Sequence, residues 1–384
     1  MRKTITIGDL GTIITGKTPP TTNKNYYGDY AVFIKPTDIS EQCKFTYKTE
    51  EMYSKLAAEK YESSLIPKGA ICVPCIGTIG TKMTMAPCDC YTNQSINSIV
   101  CNDRYDNEYV YYLIKNFLPG LKSYNLGTAS GREYVSKSNF EKIELVAEQD
   151  KTIQKKIGEF LSRYDSLIEN YQKQIKLLEE AAQRLYKEWF VDLHFPGHEN
   201  AKIVDGVPEG WEKKKLVEIA ELKAGGDKPE IVSAKRTNEC SVPIFSNGTT
   251  NEGLYGYTNL PVILEQSVTI SARGSVGYTV FRRTPFVPIV RLISATPHNI
   301  YVGYIFYCLK STTLDSNGAA QQQITIPMIR NKEITIPSKG ILELFESQTE
   351  PIFNQIDILK EQIRLLTEAR DRLLPKLMSG EIAV

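Results

Sequence analysis

One twelve-residue segment occurs twice in this chain, with its copies about half a chain length apart. QIKLLEEAAQRL begins at Gln174, and QIRLLTEARDRL begins at Gln362, 188 residues further along a chain of 384 residues. Eight of the twelve positions are identical. Solenoid proteins have much shorter repeats, typically of about 20–50 residues. The chain is therefore predicted to contain two large copies of one unit, each ending in the same helix.

Both copies of the segment lie in long amphipathic stretches. Apolar residues recur there in alternating three- and four-residue steps, the a/d pattern of a helix that packs against another helix. We expect the two helices to form a coiled coil, with Pro351 marking a kink or a restart of the second. The alternative is that each helix packs on its own domain. The predicted helix-packing residues are Ile157, Tyr164, Leu167, Tyr171, Leu178 and Leu185 in the first helix, and Ile356, Leu359, Ile363, Leu366 and Leu373 in the second.

The predicted elements ahead of each helix also follow the same order. A strand-like run leads into a glycine turn, Gly77–Gly80 or Gly274–Gly277, and a short helix, a polar loop and another strand follow. This order predicts a mixed α/β (α+β) fold, in which two similar globular domains are separated by two long antiparallel helices with pseudo-twofold symmetry. The predicted bounds are 1–146 for the first domain, 147–190 for its helix, 191–211 for a linker, 212–337 for the second domain, and 338–384 for its helix and tail.

Composition places the chain among ordinary globular proteins. It is 41% hydrophobic and 24% charged, and it has no apolar run of 18 residues. The first ten residues lack the apolar stretch of a signal peptide. We expect a cytoplasmic protein.

The eight cysteines allow two interpretations. Cys72, Cys75, Cys88 and Cys90 have a spacing that could supply four zinc ligands. The second interpretation is that they are reduced thiols in and beside buried strands. The corresponding stretch of the second copy, SARGSVGYTVFRRTPF, contains no cysteine, so that copy must fold without such a metal. We therefore expect no metal site.

Catalytic patterns are missing from the sequence. It has three histidines, and it contains no Walker A pattern, no nucleophile elbow and no G-x-G-x-x-G after a strand. Residues 1–140 carry a net charge of +3 and residues 212–337 one of +4, so both domains are mildly basic. These features favour a binding protein that is not an enzyme by itself.

The polar loops contain the residue types that read DNA bases. Arginine can donate two parallel hydrogen bonds to guanine or to phosphate. Glutamine and asparagine carry the donor and the acceptor that pair with adenine. In the second domain the candidate DNA-binding residues are Lys228, Ser246, Asn247, Arg273, Ser275, Arg282, Arg283, Arg291, Gln321, Gln322 and Gln323. In the first they are Lys17, Thr18, Lys35, Asp38, Thr78, Lys82, Gln94, Asn97, Ser130 and Arg132.

The whole chain resembles the specificity (S) subunit of a type I restriction–modification system. The resemblance rests on GKTP at Gly16, FIKPTDI at Phe33, IFSNG at Ile244, SARGSVG at Ser271 and RLLPKLMSG at Arg372, together with the two helices. The first glycine turn departs from the second, because Cys75-Ile76 precedes Gly77 where Ala272-Arg273 precedes Gly274. This departure leaves the base-reading residues of the first domain less defined.

The resemblance implies a non-catalytic subunit with two target recognition domains, each reading one half of a bipartite, asymmetric double-stranded DNA site. It implies two modification subunits as partners, and restriction subunits where the system has them. S-adenosylmethionine, ATP and magnesium would belong to those partners, with no cofactor in this chain. The alternative is a coiled-coil interaction protein or a regulatory DNA-binding protein outside restriction–modification.

Overall fold

The structure is a computed structural model that describes residues 2–125, 127, 133–204, 206–312 and 323–384. The chain divides into two units. The first unit comprises Met1–Gln174 with Leu359–Val384, and the second comprises Ile175–Ile358. Both boundaries fall inside long helices, so each unit contains one globular part and a segment of each helix.

The globular part of the first unit is built on a four-stranded antiparallel sheet in the order β2-β8-β5-β6, accompanied by a sheet β4-β3-β7 and a pair β1-β9. Its strands are β1 (Arg2–Thr6), β2 (Gly11–Thr15), β3 (Tyr27–Ile34), β4 (Met52–Tyr53), β5 (Ile71–Pro74), β6 (Thr84–Met85), β7 (Tyr91–Thr92), β8 (Ile96–Cys101) and β9 (Glu144–Glu148). The helices of this half of the chain are α1 (Ile7–Leu10), α2 (Lys55–Lys60), α3 (Asn107–Phe117), α4 (Lys137–Glu141) and α5 (Lys151–Tyr186).

Helix α3 joins the sheet of the first unit to α5. Asp106 caps its first turn by accepting a hydrogen bond from the Tyr109 N–H at 3.0 Å. Tyr109, Tyr112 and their buried neighbours pack in one core with the sheet residues. Gly158 of α5 lies against the start of α3, and a Cβ there would meet the Tyr109 nitrogen at 2.8 Å. A glycine at this position therefore lets the two helices approach closely.

The second unit repeats this architecture with sheets β13-β19-β16-β17 and β15-β14-β18 and a pair β12-β20. Its strands are β10 (Ile203–Val204), β11 (Val207–Pro208), β12 (Glu212–Lys215), β13 (Ala220–Ala224), β14 (Val242–Phe245), β15 (Leu254–Thr258), β16 (Ser267–Ile270), β17 (Thr279–Arg282), β18 (Val287–Pro288), β19 (Ile293–Pro297) and β20 (Glu333–Ile336). The helices of this half of the chain are α6 (Leu216–Ile219), α7 (Val302–Ser311), α8 (Ile326–Ile329) and α9 (Lys339–Ser379).

The duplication extends to strand direction. The pairs β3–β7 and β14–β18 are parallel, whereas the neighbouring pairs β3–β4 and β14–β15 are antiparallel. The predicted mixed α/β fold with two similar domains is therefore confirmed, and the two domains also share the order of strands in their sheets.

The two long helices are continuous. Helix α5 has 36 residues and α9 has 41. At about 1.5 Å per residue they are roughly 54 and 62 Å long. Of the two possibilities at Pro351, the restart is wrong, because α9 runs through this residue from Lys339, and the kink stays a prediction.

In the first unit the segments of α5 and α9 run antiparallel, and in the second unit the two helices also contact each other. In the first unit Arg370 pairs with Asp165, while Leu377 lies near Glu148 because Arg2 reaches both. In the second unit the rings of Tyr186 and Phe345 lie 6.4 Å apart. Both helices also contribute to the core of the globular part of each unit, so the predicted helix pairing and the alternative, packing on the domain, occur together.

One predicted packing residue is wrong. Leu167 is 43% exposed, whereas its neighbour Ile168 is 2% exposed. An ideal helix drifts against a strict seven-residue repeat, so the buried face moves by one residue along α5. Ile157, Ile356 and Leu359 are buried as expected. The other predicted positions are half-buried: Tyr164, Tyr171, Leu178, Leu185, Ile363, Leu366 and Leu373.

Candidate nucleic-acid interface

Three connections of the first unit leave the same edge of its four-stranded sheet. Thr15 of β2 lies opposite Asn97 of β8, and Pro74 of β5 lies opposite Ile96 of β8. The end of β2, the end of β5 and the start of β8 are therefore neighbours. The Cys75 N–H donates to the Ser95 carbonyl oxygen at 2.7 Å, which joins two of the connections. We call the segments 16–18, 75–82 and 93–95 the first loop edge.

Five of the predicted residues lie on the first loop edge. Lys17, Thr78 and Gln94 are exposed, and Thr18 and Lys82 are half-buried. The Thr18 hydroxyl donates to the Gln94 side-chain oxygen, and the Lys17 ammonium donates to the Ser63 hydroxyl at 3.2 Å. The edge therefore presents cations and hydrogen-bonding side chains together, as a surface that contacts phosphates and bases requires.

Three other predicted residues of the first unit serve the fold instead. Asn97 is 3% exposed, and its side-chain oxygen accepts from the Thr15 hydroxyl at 2.7 Å. Lys35 lies 2.6 Å from Glu50 and 3.2 Å from Glu51. Burial lowers the pKa of Lys35, but hydrogen bonds to these carboxylates outweigh it and raise the pKa above its ordinary value. Asp38 accepts from the N–H groups of Lys35 and Glu50 at 2.8 and 3.0 Å.

The second unit has the equivalent edge. Ile293 of β19 lies opposite both Ala224 of β13 and Ile270 of β16. The segments that leave this edge are 225–228, 271–277 and 290–292, which we call the second loop edge. Its exposed predicted residues are Lys228, Arg273, Ser275 and Arg291. Among the residues that the structure describes, no carboxylate forms an ion pair with Arg273 or Arg291.

The second loop edge contains backbone strain. Val290 has φ 54° and Arg291 has φ 60°, a left-handed conformation that side chains other than glycine seldom adopt. Hydrogen bonds hold it in place, since the N–H groups of Val290 and Arg291 donate to Gly226 and Gly225 at 2.8 and 2.9 Å. Strain held in this way is characteristic of functional loops. Here it accompanies Arg291, an exposed arginine without an ion-pair partner among the described residues.

Asn247 links two segments of the second loop edge through hydrogen bonds. Its amide nitrogen donates to the Val290 carbonyl oxygen at 2.6 Å, and its oxygen accepts from the Ala272 N–H at 2.7 Å. This role as a brace replaces the predicted contact with a base. The neighbouring Ser246 is half-buried. Gln323 is exposed and belongs to the edge, because the Ile324 N–H that follows it donates to the Ala272 carbonyl oxygen at 3.0 Å.

Arg282 is buried, so the predicted DNA contact of this residue is wrong. It lies at the end of β17, opposite Ser267, and therefore at the other end of the sheet from the loop edge. Its guanidinium donates to the Thr269 hydroxyl at 2.9 Å and stacks 3.5 Å from the Phe245 ring centre. Burial lowers the pKa of Arg282 to about 10, against the opposing charge of Glu252.

Arg283 is bound to helix α9 instead of facing solvent. It donates to both Glu350 oxygens at 2.9 and 2.7 Å, to Asp357 at 2.6 Å and to Asn354 at 2.5 Å. Its guanidinium is therefore occupied in holding the globular part of the second unit to the helix. The predicted DNA contact of Arg283 is wrong for this reason.

Four predicted residues lie outside the described part of the chain: Ser130, Arg132, Gln321 and Gln322. One candidate was not predicted. Lys122 is exposed, and its side chain packs on Gly80 of the first glycine turn, where a Cβ would meet its Cγ at 2.9 Å. No local sequence pattern marks Lys122, because tertiary folding brings it to this turn.

Three cysteines of the possible zinc set, Cys72, Cys75 and Cys90, are buried. Within the described ranges, no group of three or more His, Cys, Asp or Glu residues is placed to hold a metal ion. Burial raises the pKa of Cys72 and of Cys75 to about 12, which keeps both as neutral thiols near neutral pH. Cys88 is exposed, so the four cysteines of the proposed zinc set occupy unlike environments.

The chain resembles known proteins over most of its length. A family model described as "Type I restriction modification DNA specificity domain" matches residues 2–180 and 208–370. The chain is 28% identical to the type I restriction enzyme MjaIX specificity subunit of Methanocaldococcus jannaschii, over 98% of this chain and 93% of that protein. It is 38% identical to the HindI specificity subunit of Haemophilus influenzae, over 39% of this chain and 33% of that protein.

A solved structure has the same fold. The crystal structure of the type I restriction–modification S subunit from Mycoplasma genitalium matches with a TM-score of 0.57 at 18% identity, covering 98% of this chain and 96% of that one. None of the helices in the described residues combines the length and the apolar character needed to cross a membrane.

Proposed function

The chain belongs to the family of type I restriction modification DNA specificity domains, and from that membership we propose that its two loop edges each read one half of a bipartite DNA site. The chain is a specificity subunit and does not carry out catalysis by itself. Two non-identical readers in one chain would recognise two different half-sites, so the site as a whole would be asymmetric.

The observation that supports this proposal is the recurrence of one cationic edge in both units. The first loop edge has Lys17 and Lys82 with Lys122 beside it, and the second has Lys228, Arg273 and Arg291. Cations of this kind neutralise phosphates and give affinity for any duplex. Side chains that differ between the edges would then supply the specificity.

Except for Lys122, the proposed reading residues are among those predicted. In the first unit they are Lys17, Thr18, Thr78, Lys82 and Gln94, with Lys122 added. In the second they are Lys228, Arg273, Ser275, Arg291 and Gln323. Arg273 and Arg291 are the strongest candidates for base contacts, because an unpaired guanidinium can fork onto guanine O6 and N7.

We propose that the chain works in a complex with two modification subunits. These partners would bind S-adenosylmethionine and methylate adenine, and restriction subunits would use ATP and magnesium where the system has them. The match of the family model to both halves supports this proposal over a coiled-coil or regulatory protein outside restriction–modification.

A recognition-domain exchange tests the proposal. Residues 212–337 are replaced by the equivalent residues of another specificity subunit, and the hybrid is expressed with its modification partner. The expected result is a methylated site in which one half has changed and the other half is retained. Sequencing of methylated adenines in the host genome gives the readout.

The control exchanges residues 2–146 instead and should alter the opposite half-site. A change of both half-sites in either hybrid would contradict independent reading by the two units. Active hybrids whose methylated sites are unaltered would contradict the assignment of DNA recognition to these units.

A further inference from the structure

The first unit contains a buried polar cluster between its two helix segments. Asp165 of α5 and Arg370 of α9 form an ion pair, and they are 7% and 4% exposed. The Tyr112 hydroxyl of α3 donates to the other Asp165 oxygen. Arg370 also donates to Asp371 at 2.9 Å. A buried ion pair of this kind contributes little net stability, but losing one partner is costly.

The charges at this cluster are mutually dependent. Burial alone would raise the pKa of Asp165, but the positive charges of Lys115 and Arg370 outweigh it and hold the pKa below the ordinary value. Burial likewise disfavours the charged form of Arg370, and the negative charge of Asp165 compensates for this effect. Lys115 and Arg370 therefore both favour the charged form of Asp165, and Asp165 favours the charged form of Arg370.

The equivalent place in the second unit is apolar. The 188-residue offset of the repeat relates Asp165 to Phe353 and Ala182 to Arg370. Phe353 and Ala182 are 5% and 0% exposed and belong to one hydrophobic core. Tyr307 occupies the place of Tyr112, with its ring centre 6.1 Å from that of Phe353.

Contacts with the last strand of each unit show that Tyr307 corresponds to Tyr112. Tyr109 of α3 reaches the last strand of its unit, where its hydroxyl accepts from the Glu148 N–H at 2.8 Å. Tyr304 of α7 reaches the last strand of the second unit, where its hydroxyl donates to the Thr335 carbonyl oxygen. Tyr112 and Tyr307 each follow three residues later. We call the place where α5, α9 and the short helix (α3 or α7) meet the helix junction. The repeat therefore has a polar helix junction in the first unit and an apolar one in the second.

We propose that the Asp165–Arg370 pair makes α5 select α9 as its partner and reject a second copy of α5, so that the two halves of this chain join only with each other. If two α5 helices paired in the same antiparallel register, each Asp165 would face Ala182. If two α9 helices paired, each Arg370 would face Phe353. Both pairings bury a charge without its partner, which the pairing of α5 with α9 avoids.

The cost of mispairing is unequal for the two halves. In an α5–α5 pair Asp165 would keep Tyr112 and Lys115, which belong to its own half. In an α9–α9 pair Arg370 would keep Asp371, whose side chain is 53% exposed and can hydrate. The discrimination should therefore be stronger against pairing of two second halves.

The test uses the full chain with a protease site inserted after Asn200, in the exposed linker. The folded chain is cleaved, the two halves are separated in denaturant and refolded together, and the pairings are counted by native mass spectrometry. The wild type should return mixed pairs, exceeding like pairs by about a hundredfold, since removing one partner of a buried ion pair is strongly unfavourable. Like pairs in the statistical proportion would overturn the proposal.

The matched variant is Asp165→Phe with Arg370→Ala, which copies the second unit's residues into the first. It should fold and return like and mixed pairs in comparable amounts. If this variant were as selective as the wild type, the ion pair would not be the selecting element and the proposal would fail.

A second measurement uses the uncleaved chain. Asp165→Arg alone and Arg370→Asp alone should each lower the melting temperature, and the double reversal should recover part of the loss, because Lys115 still repels a cation at position 165. Independent effects of the two reversals would show that the groups are not coupled, and would overturn the proposal whatever the cleaved halves do.

Discussion

At the scale of single residues, exposure separates the arginines that are proposed to read DNA from those that support the fold. Arg273 and Arg291 lie on the second loop edge, whereas Arg282 and Arg283 lie at the far end of the same sheet and are bound internally. All four are alike in sequence, since they occur within a stretch of mildly basic character. Their exposure and their internal contacts distinguish them, and both depend on tertiary folding.

Arg273→Ala should weaken specific DNA binding by roughly 1–3 kcal/mol and relax one position of the second half-site, if its guanidinium forks onto a base. Binding to a set of single-base site variants measures both effects. Arg372→Ala is the matched control, because this exposed arginine of α9 pairs with Glu368 and lies outside both edges. An equal loss on every sequence would instead identify a phosphate contact, and full affinity would remove Arg273 from the interface.

Asp165 should make stability depend on pH in the acid range. Its pKa is lowered in the folded state by Lys115 and Arg370, so its contribution is present above the unfolded pKa of about 3.9 and is lost as pH falls through the folded pKa. The free energy of unfolding of Asp165→Asn should therefore lie below that of the wild type by about 3–5 kcal/mol near neutral pH, with the gap narrowing in acid.

Urea denaturation at a series of pH values measures this gap. Asp371→Asn serves as the control, because that carboxylate also pairs with Arg370 but is half exposed. Its effect should stay below about 1 kcal/mol at every pH. A gap for Asp165→Asn that did not change with pH would show that the carboxylate is not the group responsible.

At the scale of elements, the repeated helix and the order of strands could be predicted because both depend on local patterns. Hydrophobic stepping specifies a helix, and the turn between two strand-like runs specifies their connection. The two loop edges could be predicted in part, since the glycine turns marked them. Asn247 could not be recognised as a brace, because its two partners are 25 and 43 residues away.

The buried face of α5 is a second feature that depends on tertiary contacts. The stepping pattern identified the helix but placed Leu167 in the packed face instead of Ile168. A helix that contacts both a partner helix and a globular core has a buried face wider than a coiled-coil seam. The position of its edge depends on those neighbours, which the sequence of the helix does not specify.

At the scale of the whole molecule, the long helices are expected to set the distance between half-sites. Four residues inserted after Gln174 and four after Ile358 would lengthen both helices where the units meet in sequence, and would leave the contacts inside each unit unchanged. The added length is about 6 Å, against about 3.4 Å for one base-pair step. The half-sites should persist while the unspecified spacer grows by one to two base pairs.

Methylated-adenine sequencing of a host that carries the lengthened chain gives the spacer directly. Two-residue insertions at the same points provide the contrast, since they rotate each helix by about 200° and should abolish assembly. An active lengthened complex with the original spacer would show that the helices do not measure the distance.

The unlike helix junctions have a consequence for how genes of this kind can exchange parts. A recombination event that replaces only residues 212–337 leaves Asp165 and Arg370 in place, so the product retains its pairing and acquires a new half-site. An event that replaces the whole second half must also bring in a cation at position 370. Otherwise Asp165 is left in the core without its ion-pair partner. Selection would therefore tolerate crossovers on either side of a globular part more readily than crossovers in the linker, and new DNA specificities would arise chiefly by exchange of single domains.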